Sequence, residues 1–327
     1  MSTKKVMIVQ PINENGIALL RQADFEVVFA SSFEPSVVAQ EIKNIDGVIV
    51  RTAPFTSEII NNAENLKVIA RHGVGVDNID LEAASRKGIY VVNTPNANKI
   101  SVAEHTIAFI LALSKRLKKM DQATRAGHFG VREEYSAIDL EGKTLGVVGL
   151  GRIGATVAKR CQLAFNMRVL AHDPYCSSDK AQEAGAKLVD LTTLLQEADF
   201  VTLHAPLTRE TENMIGRKEL ETMKPSAFII NVARGPLWDE DALVMALKEG
   251  WIAGAATDVF KKEPPSSDHP FLRLENMLLS PHMAALTKEC VIRMAKGAAQ
   301  GVIEVLSEQK PTYLANRELL QKYGFKI

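Results

Sequence analysis

The 327-residue chain has no excess charge of either sign, since 39 lysines and arginines balance 39 aspartates and glutamates. A general nucleic-acid surface needs a basic excess or stripe, so the balance argues against that class, although it leaves room for a local basic pocket. Cysteine is scarce. Cys161, Cys176 and Cys290 have no CxxC spacing and are odd in number, which argues against a disulfide framework and predicts unpaired thiols in a reducing compartment. Long apolar runs are missing as well. No stretch reaches the length of a membrane span. The opening Met1-Ser2-Thr3-Lys4-Lys5-Val6-Met7-Ile8-Val9 has four apolar residues before Gln10-Pro11, too few for a signal-peptide core. There is no low-complexity tract, no short repeat and no metal-ligand spacing. The expectation is a cytoplasmic protein without a membrane or nucleic-acid partner.

What is present is a globular composition, 46% hydrophobic and 24% charged, over a length that suits two domains. Short apolar runs alternate with helix-like stretches. Strands are predicted at 6–9, 25–29, 47–50 and 66–70, with helices around 17–21 and 35–43. This order implies a parallel sheet covered on both faces. The segment 101–120 reads as one long helix, with Ser101 as N-cap, Glu104 completing a capping box, and Lys115, Arg116, Lys118 and Lys119 as its solvated C-terminal end. A second alternating series follows, with strands at 145–148, 168–171, 200–203, 227–231, 252–257 and 277–279. The tail 286–306 is again helical. The predicted domains are therefore 1–98 plus 286–327, and 99–285.

Val147-Val148-Gly149-Leu150-Gly151-Arg152-Ile153-Gly154 carries GxGxxG between a predicted strand and a predicted helix, the context that a dinucleotide needs. Gly149 permits the turn, Gly151 lets backbone approach a pyrophosphate, and Gly154 lets helix and strand pack closely. Arg152 and Ile153 complete the loop. The helix N-terminus adds unsatisfied N–H groups and a positive dipole end. Asp173 ends the next strand, where an acid accepts hydrogen bonds from the adenosine ribose and repels a 2′-phosphate. NAD is therefore preferred over NADP.

Arg234, Glu263 and His282 each sit at a predicted strand end or in the loop beyond, and Asp258 ends a strand. In an open parallel sheet such ends line the ligand crevice. The residue types suit reduction of a keto acid. Histidine can protonate the alkoxide, a carboxylate beside it orients the ring and favours its charged form, and arginine can polarise the carbonyl or fork onto a carboxylate.

At these residues the chain resembles the D-isomer-specific 2-hydroxyacid dehydrogenases, with phosphoglycerate dehydrogenases and related hydroxyacid dehydrogenases as the nearest branch. The resemblance spans about residues 45–305. It rests on Gly73-Val74-Gly75-Val76-Asp77-Asn78-Ile79-Asp80, Ser101-Val102-Ala103-Glu104-His105, the glycine loop, Asn231-Val232-Ala233-Arg234-Gly235, Asp258-Val259-Phe260 with Glu263-Pro264, and Ser280-Pro281-His282. The implied fold is α/β, a flavodoxin-like substrate domain and a Rossmann NAD domain, both doubly wound, with a cleft between them. The resemblance implies His282 as acid/base, Glu263 as its partner and Arg234 as substrate anchor. It also implies backbone contacts from Val232 and Ala233 to the cofactor and places Asp258 opposite the nicotinamide amide. On the substrate side it implies the Val74 and Gly75 amides and Asn98. A homodimer through the helix after residue 99 is implied too.

Arg51 lies where phosphate-binding arginines of the phosphoglycerate enzymes can sit, and it could equally serve a plain carboxylate or a surface pair. Those enzymes often carry a C-terminal regulatory domain, for which a chain ending at Ile327 has no room. Trp238, near the Arg234 loop, reads as core. The substrate stays open between 3-phosphoglycerate and hydroxypyruvate, glyoxylate or another 2-hydroxy acid. An NAD-sensing, corepressor-like protein is the reading from another class.

Overall fold

Uninterrupted β-branched and aliphatic runs such as Gly47–Val50 and Phe200–Leu203 have no polar face to turn to water, so they are stable only as strands covered on both sides. The computed structural model builds two all-parallel sheets from them. It describes residues 3–325 and 327; Met1 and Ser2 of the N-terminal reading, and Lys326 of the tail, lie outside the described residues. The chain divides into two compact units, Met1–Asn98 with Leu286–Ile327, and Lys99–Ala285.

In the first unit, β1 (Lys5–Ile8), β2 (Glu26–Phe29), β3 (Gly47–Val50), β4 (Val68–Arg71) and β5 (Tyr90–Val92) lie in the order β2-β1-β3-β4-β5. The helices between them are α1 (Glu14–Gln22), α2 (Pro35–Glu41), α3 (Ser57–Asn62) and α4 (Leu81–Arg86). The strand order reverses between β1 and β3, the switch point at which doubly wound sheets bind ligands.

The second unit opens with α5 (Lys99–Ser114) and α6 (Leu117–Arg125). Then come β6 (Thr144–Val148), α7 (Arg152–Phe165), β7 (Arg168–His172), α8 (Ser178–Glu183), β8 (Lys187–Leu188), α9 (Leu191–Glu197), β9 (Phe200–Leu203), α10 (Arg217–Thr222), β10 (Phe228–Asn231), α11 (Glu240–Glu249), β11 (Gly254–Thr257) and β12 (Met277–Leu279). Their order is β12-β11-β10-β9-β6-β7-β8, with the switch between β6 and β9.

The tail returns to the first unit as α12 (Lys288–Leu306) and α13 (Arg317–Lys322). Ala298, Ala299, Val302 and Leu306 of α12 bury against Val6, Ile8, Val68 and Val92. Gly16 of α1 lies so close to α12 that a Cβ there would stand 2.7 Å from the Ala295 carbonyl oxygen.

Three details depart from expectation. The segment 101–120 is not one helix. The Ser114 carbonyl accepts the Ile138 amide at 2.8 Å instead of continuing the ladder, and Arg116 takes the left-handed conformation at φ 52°, which separates α5 from α6. Ser101 is no N-cap either. It is buried inside α5, which begins at Lys99, and Glu104 pairs with Arg160 of α7 at 3.1 Å. The basic cluster is only partly solvated, because Lys115 pairs with Asp139 and Lys118 donates to the Met277 carbonyl.

Trp238 is fully buried beside Phe271. None of the three cysteines forms a disulfide, and burial pushes the Cys161 thiol up to about 12. Among the described residues no helix is long and apolar enough to cross a membrane, and no cluster of His, Cys, Asp and Glu could hold a metal.

Candidate active site

The glycine loop leaves the end of β6 at the switch point of the second sheet. Gly149 adopts φ 90° and is pressed against the 204–205 backbone, where a Cβ would lie 2.6 Å from the Ala205 nitrogen. A Cβ at Gly154 would lie 2.1 Å from the Gly149 carbonyl oxygen, so α7 can approach its strand only through glycine. A Cβ at Gly151 would meet nothing within 4 Å. Gly151 is the N-cap of α7, and no side chain caps that end.

The result is an open helix N-terminus, where Arg152 and Ile153 begin the helix and unsatisfied N–H groups face outward, a donor set fitted to a pyrophosphate. Asp173 closes this region. Its Oδ2 accepts the Leu150 amide at 2.8 Å and its Oδ1 the Tyr175 amide at 2.9 Å, which ties the acid to the loop and leaves further acceptor positions for a ribose. Behind the loop, His204 sets Nε2 3.0 Å from Thr202 Oγ1, and desolvation lowers its pKa to about 3, so the ring stays neutral.

Three further loops of the same unit carry the candidate catalytic residues. Asn231, fully buried at the end of β10, accepts the Ala233 amide at 3.1 Å and donates to the Arg234 carbonyl at 2.9 Å. That shapes the turn through Val232 and Ala233 and presents Arg234, whose Nη1 donates to the Ala233 carbonyl at 2.7 Å. Gly235 follows. A Cβ there would come within 2.1 Å of the Phe260 carbonyl carbon, so the Arg234 loop is locked against the loop that bears Glu263.

Glu263 Oε1 accepts the Phe260 amide at 3.0 Å, and Oε2 lies 2.6 Å from His282 Nδ1. Partial burial would raise the Glu263 pKa. The His282 hydrogen bond, the Phe260 amide and the positive charges of His282 and Arg234 outweigh it and hold the carboxyl below its ordinary value. The paired nitrogen is Nδ1, so His282 Nε2 is the atom left to work on a substrate.

Asp258 accepts the Ser280 hydroxyl and the Met283 amide (2.8 Å) on Oδ1, and the Ala284 amide (2.9 Å) on Oδ2.

The remaining candidates belong to the first unit. Gly73 follows β4 at φ 148°, a conformation that disfavours any side chain. Its carbonyl accepts both the amide (2.9 Å) and the hydroxyl (3.0 Å) of Thr94, and the Val74 carbonyl accepts Asn93 Nδ2 at 2.8 Å. Among the described residues no acceptor meets the Val74 or Gly75 amide. Arg51 leaves β3 at the switch point and donates through Nη1 to the Pro11 carbonyl at 3.0 Å. His72, one residue before the turn, is 5% exposed. Burial, with Arg51 and Arg71 nearby, lowers its pKa to about 4. Asn98 has a buried Oδ1 with no hydrogen-bond partner among the described residues.

Sequence reasoning missed Asn231, Gly235, His105 and Ser280 as working parts. All four stand inside motifs quoted above; Gly235, His105 and Ser280 meet residues far along the chain, while Asn231 bonds Ala233 and Arg234 of its own turn.

The chain matches the family model "D-isomer specific 2-hydroxyacid dehydrogenase, NAD binding domain" over residues 107–284. It is 42% identical over 302 residues to a D-3-phosphoglycerate dehydrogenase of Archaeoglobus fulgidus, covering 92% of this chain and 57% of that relative. It spans little more than half the length of the first curated relatives it matches. A glyoxylate reductase of Thermococcus litoralis is 39% identical over 325 residues, covering 97% of this chain and 98% of the relative. A crystal structure of D-lactate dehydrogenase from Aquifex aeolicus, complexed with NAD and lactic acid, superposes with a TM-score of 0.83 at 31% identity, covering 98% of both chains.

Proposed function

The chain belongs to the D-isomer-specific 2-hydroxyacid dehydrogenase family, and from that premise we propose that it interconverts a small 2-keto acid and its D-2-hydroxy acid. The observation that carries the reading is the 2.6 Å contact between His282 Nδ1 and Glu263, in the unit that also bears the open glycine loop. The N–H groups at the start of α7 hold the pyrophosphate, Asp173 the ribose, and the backbone of Val232 and Ala233 the cofactor beyond it. Asp258 would face the carboxamide of a bound nicotinamide. NADH, when bound, supplies the hydride to the carbonyl carbon.

His282 Nε2 gives its proton to the developing alkoxide, and Glu263 stabilises the imidazolium from the other side of the ring. Arg234 polarises the carbonyl and anchors the substrate carboxylate. On the substrate side, the Val74 and Gly75 amides, which meet no acceptor among the described residues, and Asn98 bind the substrate's anionic group. Arg51 serves the distal end of the substrate. A phosphate there favours 3-phosphohydroxypyruvate; a neutral end favours glyoxylate or hydroxypyruvate. The working form is a cytoplasmic homodimer paired through α5 and α6, where Ile100 and Leu117 are exposed.

The test is NADH oxidation by the purified protein against a panel of 2-keto acids including 3-phosphohydroxypyruvate, with NADPH in parallel and His282→Ala beside the wild type. Turnover with NADH that falls roughly a thousand-fold in the variant, with NADH binding retained, is the expected result. NADH binding without turnover on any acid would favour a cofactor-sensing protein. Unchanged turnover in His282→Ala would remove His282 from its role.

A further inference from the structure

We propose that His105 is a positioning residue for the reaction, acting through Ser280 and Asp258 to fix the backbone that carries His282. The inference rests on the dehydrogenase reading above and adds a residue to which that reading gives no role. His282 stands at φ 51°, a left-handed conformation that costs energy for a residue with a Cβ and persists only where the surroundings over-determine it. The next two residues supply that constraint, because the Met283 and Ala284 amides both donate to the Asp258 carboxylate, which is 1% exposed. Asp258 ends the pair of strands from which the loop departs, and the Ser280 amide donates to the Thr257 carbonyl at 2.9 Å.

The third donor to Asp258 is the Ser280 hydroxyl. An ionised carboxylate can only accept, so the Ser280 proton points at Asp258 and the Ser280 oxygen is left to accept. His105 Nε2 lies 2.9 Å from that oxygen, so Nε2 carries a proton. The same nitrogen is 3.8 Å from Asp258 Oδ1 and places positive potential beside a buried carboxylate. The His105 ring is held edge-on against Phe109, one helical turn along α5, with centroids 4.6 Å apart. A side chain from the opening helix of the unit thus completes the shell of the acid that holds the catalytic loop. Among the described residues, Glu263 pairs with His282, Arg234 lies close enough to act on Glu263, and Asp258 and His105 both meet Ser280.

If His105 loses its N–H, the Ser280 hydroxyl loses the donor that fixes its rotation, and the 280–284 backbone gains freedom. The short Glu263–His282 contact then lengthens. A carboxylate beside an imidazole favours the protonated ring, so loosening the pair moves the alkaline limb of keto-acid reduction to lower pH. The experiment compares wild type, His105→Phe and His105→Gln as full chains. Phe keeps the ring against Phe109 without a donor, and Gln keeps a terminal N–H. We measure kcat and KM across pH, NADH affinity by fluorescence, thermal unfolding, and the titration midpoint of the His282 imidazole by NMR.

The expected result is a kcat roughly ten-fold lower in His105→Phe, with NADH affinity and fold retained, the alkaline limb and the His282 midpoint both moved to lower pH, and most of the loss recovered in His105→Gln. A wild-type rate and limb in His105→Phe would overturn the proposal. So would equal damage in both variants with the limb unmoved, which is the mark of a packing role alone. A wild-type protein without turnover sinks the dehydrogenase reading instead; the His282 midpoint still decides the positioning role, and no difference between wild type and His105→Phe ends it.

Discussion

Each unit of the chain carries one set of backbone N–H groups that we propose as an anion cradle, and the two are built differently. The glycine loop after β6 uses a fourteen-residue helix, α7, with its N-terminus left uncapped. The turn after β4 has no helix behind it. Its Val74 and Gly75 amides are opened by Gly73 at φ 148° and held by Thr94 and Asn93, with Arg51 and Arg71 acting on the same neighbourhood. A helix end offers a fixed partial charge that needs no side chain and suits a ligand bound in one pose. Guanidinium groups offer full charges on movable stems, which suits a ligand whose far end varies. The difference fits the proposed division, with a constant cofactor at the helix end and a variable substrate at the turn.

The two cradles should therefore fail in different ways, and the largest effect is expected at Gly154. Its missing Cβ would sit 2.1 Å from a backbone oxygen of the loop itself, so Gly154→Ala must move the loop. We expect NADH affinity to drop about a hundred-fold, or close to 3 kcal/mol, in a fluorescence titration. Retained affinity would mean that the loop is not the cofactor's cradle.

Gly73→Ala is the matching change in the first unit, with a smaller effect. The nearest obstacle, 2.8 Å from the new Cβ, is Arg71 Nη1, the far end of a side chain that can swing away. What remains is backbone strain of about 1–3 kcal/mol. The expected outcome is a KM for the keto acid raised roughly ten-fold with NADH affinity unchanged. A loss of NADH affinity here would erase the division of labour between the two cradles.

The same contrast explains what could be read from the sequence. The glycine loop was legible because strand, GxGxxG, helix and Asp173 follow one another within one stretch of chain, and each glycine answers a local demand. His282 and Glu263 were legible as residue types at strand ends, and the 2.6 Å contact gives them a geometry. The substrate-side turn was quoted as a motif, yet its fixing partners, Thr94 and Asn93, lie about twenty residues on. Gly235 could not be interpreted without knowing that Phe260 passes over it, nor His105 without β12 bringing Ser280 to it. The 101–120 helix failed for the same reason. Nothing local breaks the pattern at Arg116, and the competing acceptance of the Ile138 amide comes from a segment more than twenty residues away. The short strands β5 and β8 carry too little periodicity to register, whereas the three-residue β12 was predicted at 277–279.

The smallest effect expected is on stability in mild acid, and it too separates the units, because each keeps a neutral histidine beside its cradle. His72 is lowered to about 4 and His204 to about 3. Both folded values lie below the ordinary histidine value of about 6.5, so below that pH the unfolded chain binds protons that the folded chain refuses. Stability is complete above about 6.5 and is lost as pH falls toward 4 for His72 and toward 3 for His204, with a slope approaching 1.4 kcal/mol per pH unit for each group. Both folded values lie below pH 4.5, so above that pH the two groups contribute alike. Urea unfolding followed between pH 7.5 and 4.5 should show stability falling with acid while most carboxylates remain ionised. His72→Asn should flatten that dependence in the transition of the first unit, and His204→Asn in that of the second. Identical pH slopes in both variants and the wild type would show that these histidines are free to charge in the folded chain, and that neither cradle depends on a neutral ring beside it.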